Sequence, residues 1–243
     1  MATYLITGAT SDVGCRLIES IIAPQDIVIA QGCGDLKHLA PLCQKFPGQI
    51  HTYDVDLSDD SAVDVFISHV SERFGAPTHF VHLPALRVVN TKFKNFDMDR
   101  FETDLHIQVH SALRLSRAFL PAMAKARFGR VVFMLTSYII GVPPKNTAAY
   151  VTAKHALLGL AKSLCADYAP FGVTVNCVAP YMMETKFLSD TPDLVVQMSA
   201  EANPMKRNAR VEDVVPAIRF FLSDEAGFIS GVTLPVTGGA AIL

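Results

Sequence analysis

Several classes of protein are excluded by what this chain of 243 residues has little of. Only 18% of its residues are charged, and the formal net charge is -2. Because there is no basic excess or basic stripe, we predict no nucleic-acid partner and no binding to an anionic membrane. The five cysteines are odd in number and include no C-x-x-C pair, so we expect reduced thiols rather than a disulfide framework.

Long apolar runs and a signal peptide are also missing. The uncharged, mainly apolar stretch 131–144 is broken by Ser137, Gly141 and two prolines, so we predict no segment that spans a bilayer. The chain begins M-A-T-Y and passes directly into a strand pattern, without the cationic start and cleavage site of a signal peptide. We therefore expect a cytoplasmic protein whose partners are small molecules or other subunits.

The pattern of hydrophobic residues predicts one α/β domain over 1–243. Half of the residues are hydrophobic, no linker rich in Pro, Gly or Ser interrupts them, and seven strand-like runs alternate with six helical patterns. This alternation is typical of a Rossmann-type doubly wound fold, a parallel sheet of about seven strands with helices on both faces. Ligands of such sheets bind beyond the carboxyl ends of the strands. The irregular stretch 181–208 follows the sixth strand and is long enough to be a lid.

A glycine-rich turn, T-G-A-T-S-D-V-G, joins the first strand to the first helix. Such a turn usually cradles a phosphate, but Asp12 places a carboxylate where an anion would bind. Ser11 or Asp12 can cap the helix, and a cap competes with a phosphate for the same N–H groups. Because Gly8 and Gly14 remain, we predict that the backbone of residues 11–13 still faces a pyrophosphate.

Candidate catalytic residues follow the fifth strand. Tyr150 and Lys154 are four residues apart, so they share one face of a helix, where a nearby ammonium would lower the pKa of the phenol. Ser137, thirteen residues before Tyr150, stands at the end of the strand. Alone, the Tyr–Lys spacing is more typical of a solvated helix face, and its weight comes from the combination with Ser137 and the glycine-rich turn.

With these residues the chain resembles the short-chain dehydrogenase/reductase family, and especially its 3-oxoacyl-(acyl carrier protein) reductases, over nearly its whole length. The matching motifs are the T-G-x-x-x-x-x-G turn, Asp56-Leu57, Ser137 with Tyr150-x-x-x-Lys154, V-N-C-V-A-P at 175–180, and I-S-G-V-T-L-P-V-T-G-G at 229–239. The resemblance implies an NAD(P)-dependent oxidoreductase that interconverts a ketone, such as a 3-oxoacyl or other lipophilic carbonyl, and an alcohol. It also implies a homo-oligomer, a dimer or tetramer, built through the helices at 100–124 and 150–168.

The resemblance assigns a role to each site residue. Tyr150 would be the acid/base, Ser137 would hydrogen-bond the reacting oxygen, and Lys154 would lower the pKa of Tyr150 and bind the nicotinamide ribose. Gln108 stands where the family has an asparagine linked to a proton path. Together with Tyr150 and Lys154, the implied cofactor-binding residues are Gly8, Ser11, Asp12, Val13, Gly14, Gly32, Cys33, Asp56, Leu57, Leu83, Pro84, Ala85, Pro180 and Thr185.

Departures from the family pattern lie on the ligand side of the sheet. Asp12 replaces a glycine, His82-Leu83-Pro84-Ala85 replaces N-N-A-G, and Tyr181 follows Pro180 where the family has glycine. We interpret His82 as a hydrogen-bonded structural residue. The departures keep a second interpretation open, a catalytically impaired protein of the same fold that binds a nucleotide or a partner subunit.

Cofactor choice depends on the end of the second strand. Gly32 and Cys33 are neutral there, so no carboxylate would repel a 2′-phosphate, and with Lys37 nearby NADP(H) is slightly favoured over NAD(H). We predict no metal, because His106 and His110 share a helical face but have no carboxylate at a matching spacing.

Overall fold

The computed structural model describes residues 1–242 of the chain. Its centre is a parallel sheet of seven strands in the order β3-β2-β1-β4-β5-β6-β7. The strands are β1 (Thr3–Thr7), β2 (Ile27–Gly32), β3 (Ile50–Asp54), β4 (His79–His82), β5 (Gly129–Met134), β6 (Val173–Pro180) and β7 (Thr233–Val236). The predicted doubly wound α/β fold is confirmed.

Helices cover both faces of this sheet. They are α1 (Asp12–Ile21), α2 (Ala40–Lys45), α3 (Asp60–Phe74), α4 (Met98–Leu105), α5 (Ser111–Ala126), α6 (Ala148–Tyr168), α7 (Asp193–Ala202) and α8 (Val211–Leu222). Successive strand residues point to opposite faces, so Leu5 packs into the core formed with α3, α5 and α6, and Ile6 into the core formed with α1, α2 and α8. Each such fully buried side chain stabilises the fold by about 1.5–3 kcal/mol.

The order of the strands positions the site. The chain builds the sheet outward from β1 through β2 to β3, and then returns to the other side of β1 to begin β4. The connections that leave β1 and β4 therefore diverge, and they open a crevice beyond the carboxyl ends of these strands.

Three segments differ from the sequence expectation. The helix predicted at 100–124 is interrupted by a π-helical turn, His106–His110, between α4 and α5. The helix predicted at 36–45 begins as a 3₁₀ turn, and α2 starts with proline in its first turn, where a missing N–H costs nothing. The stretch 181–208 is not irregular throughout, because it contains α7, in which no residue is fully buried.

Two further expectations concern the thiols and the membrane. All five cysteines are free. None of the helices within residues 1–242 combines the length and the apolar character needed to cross a membrane.

Candidate active site

A cavity of about 500 Å³ lies beyond the carboxyl ends of β1, β4, β5 and β6. Nine of the residues predicted for the site line it: Ser11, Asp12, Val13, Leu83, Ala85, Tyr150, Lys154, Pro180 and Thr185. The predicted residues that do not line it are Gly8, Gly14, Gly32, Cys33, Asp56, Leu57, Pro84, Gln108 and Ser137. The crevice predicted from the strand order thus contains the Tyr–Lys pair and the start of α1.

The glycine-rich turn keeps the geometry of an anion site. Ser11 is the N-cap of α1, and its Oγ accepts a hydrogen bond from the Gly14 N–H at 3.0 Å. The N–H groups of Asp12 and Val13 lie in the first turn, where no carbonyl of the same helix can accept from them. A Cβ on Gly14 would lie 2.6 Å from the Ala9 carbonyl oxygen, so glycine is required for α1 to approach the turn this closely.

The side chain of Asp12 is bound to the segment that follows β6. Its Oδ2 accepts a hydrogen bond from the Lys186 N–H at 2.8 Å, and its Oδ1 lies 3.9 Å from the Lys186 Nζ. The Nζ atom also lies 3.3 Å from the His38 Nδ1. Ser11 rather than Asp12 therefore caps α1, and Asp12 fastens the stretch 181–208 to the glycine-rich turn.

His82, at the end of β4, is a structural residue, as interpreted from the sequence. It is fully buried, its Nδ1 lies 2.7 Å from the Thr7 Oγ1, and its Nε2 lies 3.0 Å from the Gln108 carbonyl oxygen. Burial lowers the pKa of His82 to about 3, so the ring is neutral at physiological pH. His82 therefore joins β1 and β4 to the π-helical turn.

Tyr150 and Lys154 are adjacent on α6. The Lys154 side chain is buried, its Nζ donates to the Met134 carbonyl oxygen at 2.8 Å, and the same atom lies 5.6 Å from the centre of the Tyr150 ring. Burial lowers the pKa of Lys154 to about 8, against the opposing influence of Asp104 and Cys177. The pair therefore shares one face of the helix, as its spacing predicts.

We expected Lys154 to lower the pKa of Tyr150, but this pKa is raised in the structure. Burial raises the pKa of the Tyr150 phenol above its usual value, and the group that opposes this rise is the hydrogen-bonded side chain of Thr136. Any stabilisation of the phenolate by Lys154 is smaller than the effect of burial, because its ammonium is bound to the Met134 carbonyl oxygen and is itself shifted toward the neutral form.

Thr136 lies beside Tyr150 at the cavity and opposes the rise of the Tyr150 pKa, which Ser137 does not do. Thr136 lines the cavity and has an extended backbone, with φ -155° and ψ 150°. The Thr136 Oγ1 accepts from the Tyr138 N–H at 3.3 Å, which leaves its proton free for a second oxygen. Ser137 is buried and is not among the residues that line the cavity.

Asp104 is a buried carboxylate near the pair that sequence reasoning missed. It is 5% exposed on α4, and its Oδ1 accepts from the Leu86 N–H at 2.9 Å. Its negative charge raises the pKa of both Tyr150 and Lys154, although burial is the larger influence on each. No motif marks an aspartate in the middle of a helical pattern, so only the folded chain reveals it.

Gln108 lies in the π-helical turn and is fully buried. Neither its Oε1 nor its Nε2 has a hydrogen-bond partner among the described residues. A buried amide without partners is costly unless water satisfies it, so this position suits a bound water molecule.

The residues beside β2 and β3 have mainly local contacts. A Cβ on Gly32 would lie 2.5 Å from the Thr10 Cγ2, so Gly32 lets the glycine-rich turn pack against β2. Asp56 accepts from the N–H and the hydroxyl of Ser58, at 2.8 and 2.7 Å. Burial and then the charges of Asp56 and Asp54 raise the pKa of Cys33. The cation that lines the cavity near this end is Lys186, not Lys37.

A second link joins the 181–208 stretch to the rest of the domain. The Arg87 Nη1 lies 2.7 Å from the Asp190 Oδ2, and the Arg100 Nη2 donates to the Arg87 carbonyl oxygen at 2.8 Å. This ion pair and the Asp12–Lys186 contact hold different parts of the stretch. The stretch also contributes apolar residues to the cavity wall, namely Met182, Met183, Phe187, Leu188 and Val195.

Comparison with known proteins finds relatives along nearly the whole chain. The sequence profile of a family described as enoyl-(acyl carrier protein) reductase matches residues 26–241. The chain is 29% identical over 241 residues to the 3-oxoacyl-(acyl carrier protein) reductase FabG of Salmonella typhimurium, covering 97% of this chain and 95% of the relative. It is 23% identical over 253 residues to the D-beta-hydroxybutyrate dehydrogenase of Rhizobium meliloti, covering 98% and 97%.

Solved structures give the same picture. A protein of Beutenbergia cavernae, described as an NAD(P)-dependent gluconate 5-dehydrogenase with NADP bound at low occupancy, superposes with a TM-score of 0.88 at 26% identity. The match covers 98% of this chain and 96% of that one. Levodione reductase superposes with a TM-score of 0.89 at 22% identity, over 98% and 96% of the two chains, which supports the fold alone.

Proposed function

The chain belongs to the short-chain dehydrogenase/reductase family, and we propose that it interconverts a ketone and a secondary alcohol with Tyr150 as the acid/base. Membership makes it an NAD(P)-dependent oxidoreductase. The observation that carries the proposal is the meeting of the Tyr150 phenol, the Thr136 hydroxyl and Lys154 in one cavity.

The residues of the cavity fit a dinucleotide. The unpaired N–H groups at the start of α1 suit a pyrophosphate, and Asp12 does not close this position because its carboxylate is engaged by Lys186. We assign the pyrophosphate to Ser11, Asp12 and Val13, the adenosine to Leu83 and Ala85, and the nicotinamide ribose to Tyr150 and Lys154. When bound, the nicotinamide supplies or accepts the hydride.

The chain's own residues handle the proton. During reduction Tyr150 donates its proton to the carbonyl oxygen, and the Thr136 hydroxyl donates a hydrogen bond to the same oxygen as negative charge develops there. The raised pKa of Tyr150 keeps the phenol protonated and ready to donate. Lys154 is charged below about pH 8, so its ammonium would stabilise the phenolate that the transfer leaves. The unsatisfied amide of Gln108 would hold a water molecule for reprotonation.

We propose a lipophilic carbonyl as substrate, with 3-oxoacyl compounds as the first class to try. The apolar side chains of the 181–208 stretch, which we propose is a lid, face the same cavity as Tyr150. Flexible thioethers such as those of Met182 and Met183 adapt to apolar ligands of varied shape. The 3-oxoacyl reductase and hydroxybutyrate dehydrogenase relatives support this class.

We propose that the protein binds NADP(H) slightly more tightly than NAD(H). The neutral Gly32 and Cys33 support it, since they place no carboxylate against a 2′-phosphate. Asp54 and Asp56 argue against NADP(H), because their negative charges are close enough to raise the pKa of Cys33 and would also repel a 2′-phosphate there. The ratio of the dissociation constants of NADPH and NADH, measured at one salt concentration, decides between them.

A second candidate function rests on Asp12. A carboxylate in the glycine-rich turn, where the family has a glycine, favours a protein that uses the fold to bind a nucleotide or a partner subunit without turnover. A homo-oligomer formed through α5 and α6 is compatible with both candidates and also remains a proposal, and a cytoplasmic location stays a prediction.

One experiment separates the candidates. NADPH and NADH are titrated against the purified protein by nicotinamide fluorescence, and turnover of a panel of ketones is then compared for wild type and Tyr150→Phe. We expect binding to both proteins and a loss of turnover of about 10²–10⁴-fold in the variant. Unchanged turnover in Tyr150→Phe would refute the acid/base role. Binding without turnover of any ketone would favour the second candidate.

A further inference from the structure

Two histidines of the π-helical turn lie next to a carboxylate from another helix. His106 and His110 are both in the turn, and their ring centres are 4.1 Å apart. Asp60 is in the first turn of α3 and faces them, although 46 residues separate it from His106 in the chain. The reason for predicting no metal, a missing carboxylate, therefore does not hold in the folded protein.

The distances among these groups suit metal coordination. One nitrogen of each histidine and one oxygen of Asp60 all lie within 4.8 Å of one another. The His106 Nδ1 and the Asp60 Oδ1 are 3.4 Å apart. Zinc binds nitrogen and oxygen ligands at about 2.0–2.1 Å, so two ligands at the corners of a tetrahedron are separated by about 3.3–3.4 Å. The distance between the Asp60 Oδ1 and the His106 Nδ1 already has this value. A small rotation of the His110 ring would bring one of its nitrogens to the position of a third ligand.

The two facing atoms have no other partner. The His106 Nδ1 and the Asp60 Oδ1 are shielded from solvent and make no hydrogen bond within the described part of the chain, although both side chains remain about one-third exposed. Buried polar atoms are normally paired, and two that face each other at 3.4 Å leave space for a shared ligand. The partial exposure of the side chains gives an ion a way in.

The surrounding charges keep Asp60 available. The Arg114 Nη2 bonds the other oxygen of Asp60 at 2.6 Å, and the Arg114 Nη1 bonds Asp64 at 2.8 Å. The two carboxylates outnumber the one guanidinium, which leaves the pocket negative before a cation binds. Arg114 also fixes the orientation of Asp60, as groups that bond a metal ligand commonly do.

We propose that Asp60, His106 and His110 form a site for a divalent transition-metal ion of the zinc, cobalt and nickel class, with water in the fourth position. Imidazole with one carboxylate is a ligand set suited to these ions. The site lies outside the dinucleotide cavity, since none of the three residues lines it.

The site would fix the π-helical turn to α3. Gln108 lies in the same turn, and its carbonyl accepts from His82. A metal ion at His106 and His110 would therefore rigidify the segment that presents Gln108. We expect the ion to raise the melting temperature of the protein, because a ligand that binds only the folded state stabilises it.

The test measures metal binding directly. Zn²⁺ is titrated into metal-free full-length protein by calorimetry at pH 7.5, and Co²⁺ binding is followed by visible absorption. We expect one equivalent bound by wild type, and binding at least about tenfold weaker in His110→Ala and in Asp60→Asn, which has nearly the shape of the native side chain. The matched control is His69→Ala, which removes an exposed histidine of α3 outside the cluster and should bind as wild type does.

Two results would overturn the proposal. One is the absence of saturable binding to wild type at millimolar Zn²⁺. The other is equal affinity in wild type, His110→Ala and Asp60→Asn, which would place the ion elsewhere. Circular dichroism of each variant establishes that the fold is retained, so a loss of binding reports the ligands.

Discussion

The catalytic half and the cofactor half of the cavity keep the family pattern to different degrees. Around α6, Tyr150 and Lys154 stand at the family spacing, Ser137 keeps its family position, and the Thr136 hydroxyl beside it also lies at the cavity. Around β1 and β4, Asp12 and His82 replace residue types that leave room for a dinucleotide. Both replacements make specific hydrogen bonds, Asp12 to Lys186 and His82 to Thr7 and Gln108. The residues proposed for catalysis thus keep the family types, whereas at the proposed cofactor end the replacing side chains make new bonds that hold the backbone.

The largest expected effect on activity comes from removing one of two adjacent hydroxyls, those of Thr136 and Ser137. In Thr136→Ala, kcat should fall by about 10²-fold or more, as when a donor to a developing oxyanion is removed. Ser137→Ala, the matched control, should change kcat by no more than about twofold because its side chain does not line the cavity. Thr136→Ser should recover most of the activity. The assignment fails if Ser137→Ala is the more damaged variant.

The next largest effect concerns the charge of Asp12. In Asp12→Asn the amide oxygen can still accept from the Lys186 N–H, but the negative charge beside the proposed pyrophosphate is gone. We expect NADPH to bind about two- to fivefold tighter, from a charge effect of about 0.3–1 kcal/mol at a helix start. Asp12→Ala, which loses the acceptor as well, should bind more weakly than Asp12→Asn. Fluorescence titration at low and high salt measures both, and identical affinities in all three proteins would contradict the placement of the phosphate.

The smallest expected effect is a change in pH dependence. Lys154 has a pKa of about 8, so the rate of reduction should fall as the pH rises through that value and the ammonium loses its proton. Asp104 raises this pKa, so in Asp104→Asn the fall should begin at lower pH. The control is Asp99→Asn, on the exposed side of the same helix. A profile that moves equally in both variants would show a general charge effect rather than a role for Asp104.

The fold and part of the site could be predicted because they depend on local patterns. Alternating strand and helix patterns indicated the sheet, and the position i to i+4 brought Tyr150 and Lys154 together on one face. That Thr136 lines the cavity and Ser137 does not could not be predicted from spacing, because it depends on where β5 ends. Asp60 and Asp104 were missed for another reason. Their neighbours come from distant parts of the chain, and no sequence spacing relates an acid on α3 to histidines after α4.

The links that hold the stretch 181–208 have a consequence for ligand exchange. Arg87–Asp190 and Asp12–Lys186 are contacts between partly or largely exposed side chains. Ion pairs of this kind each contribute less than about 1 kcal/mol, and dissolved ions weaken them further. Breaking the two ion pairs would therefore cost little around residues 186–190, whereas the later end of the stretch stays tied to the sheet, because the buried Asn203 Nδ2 donates to the Thr237 carbonyl oxygen at 2.9 Å.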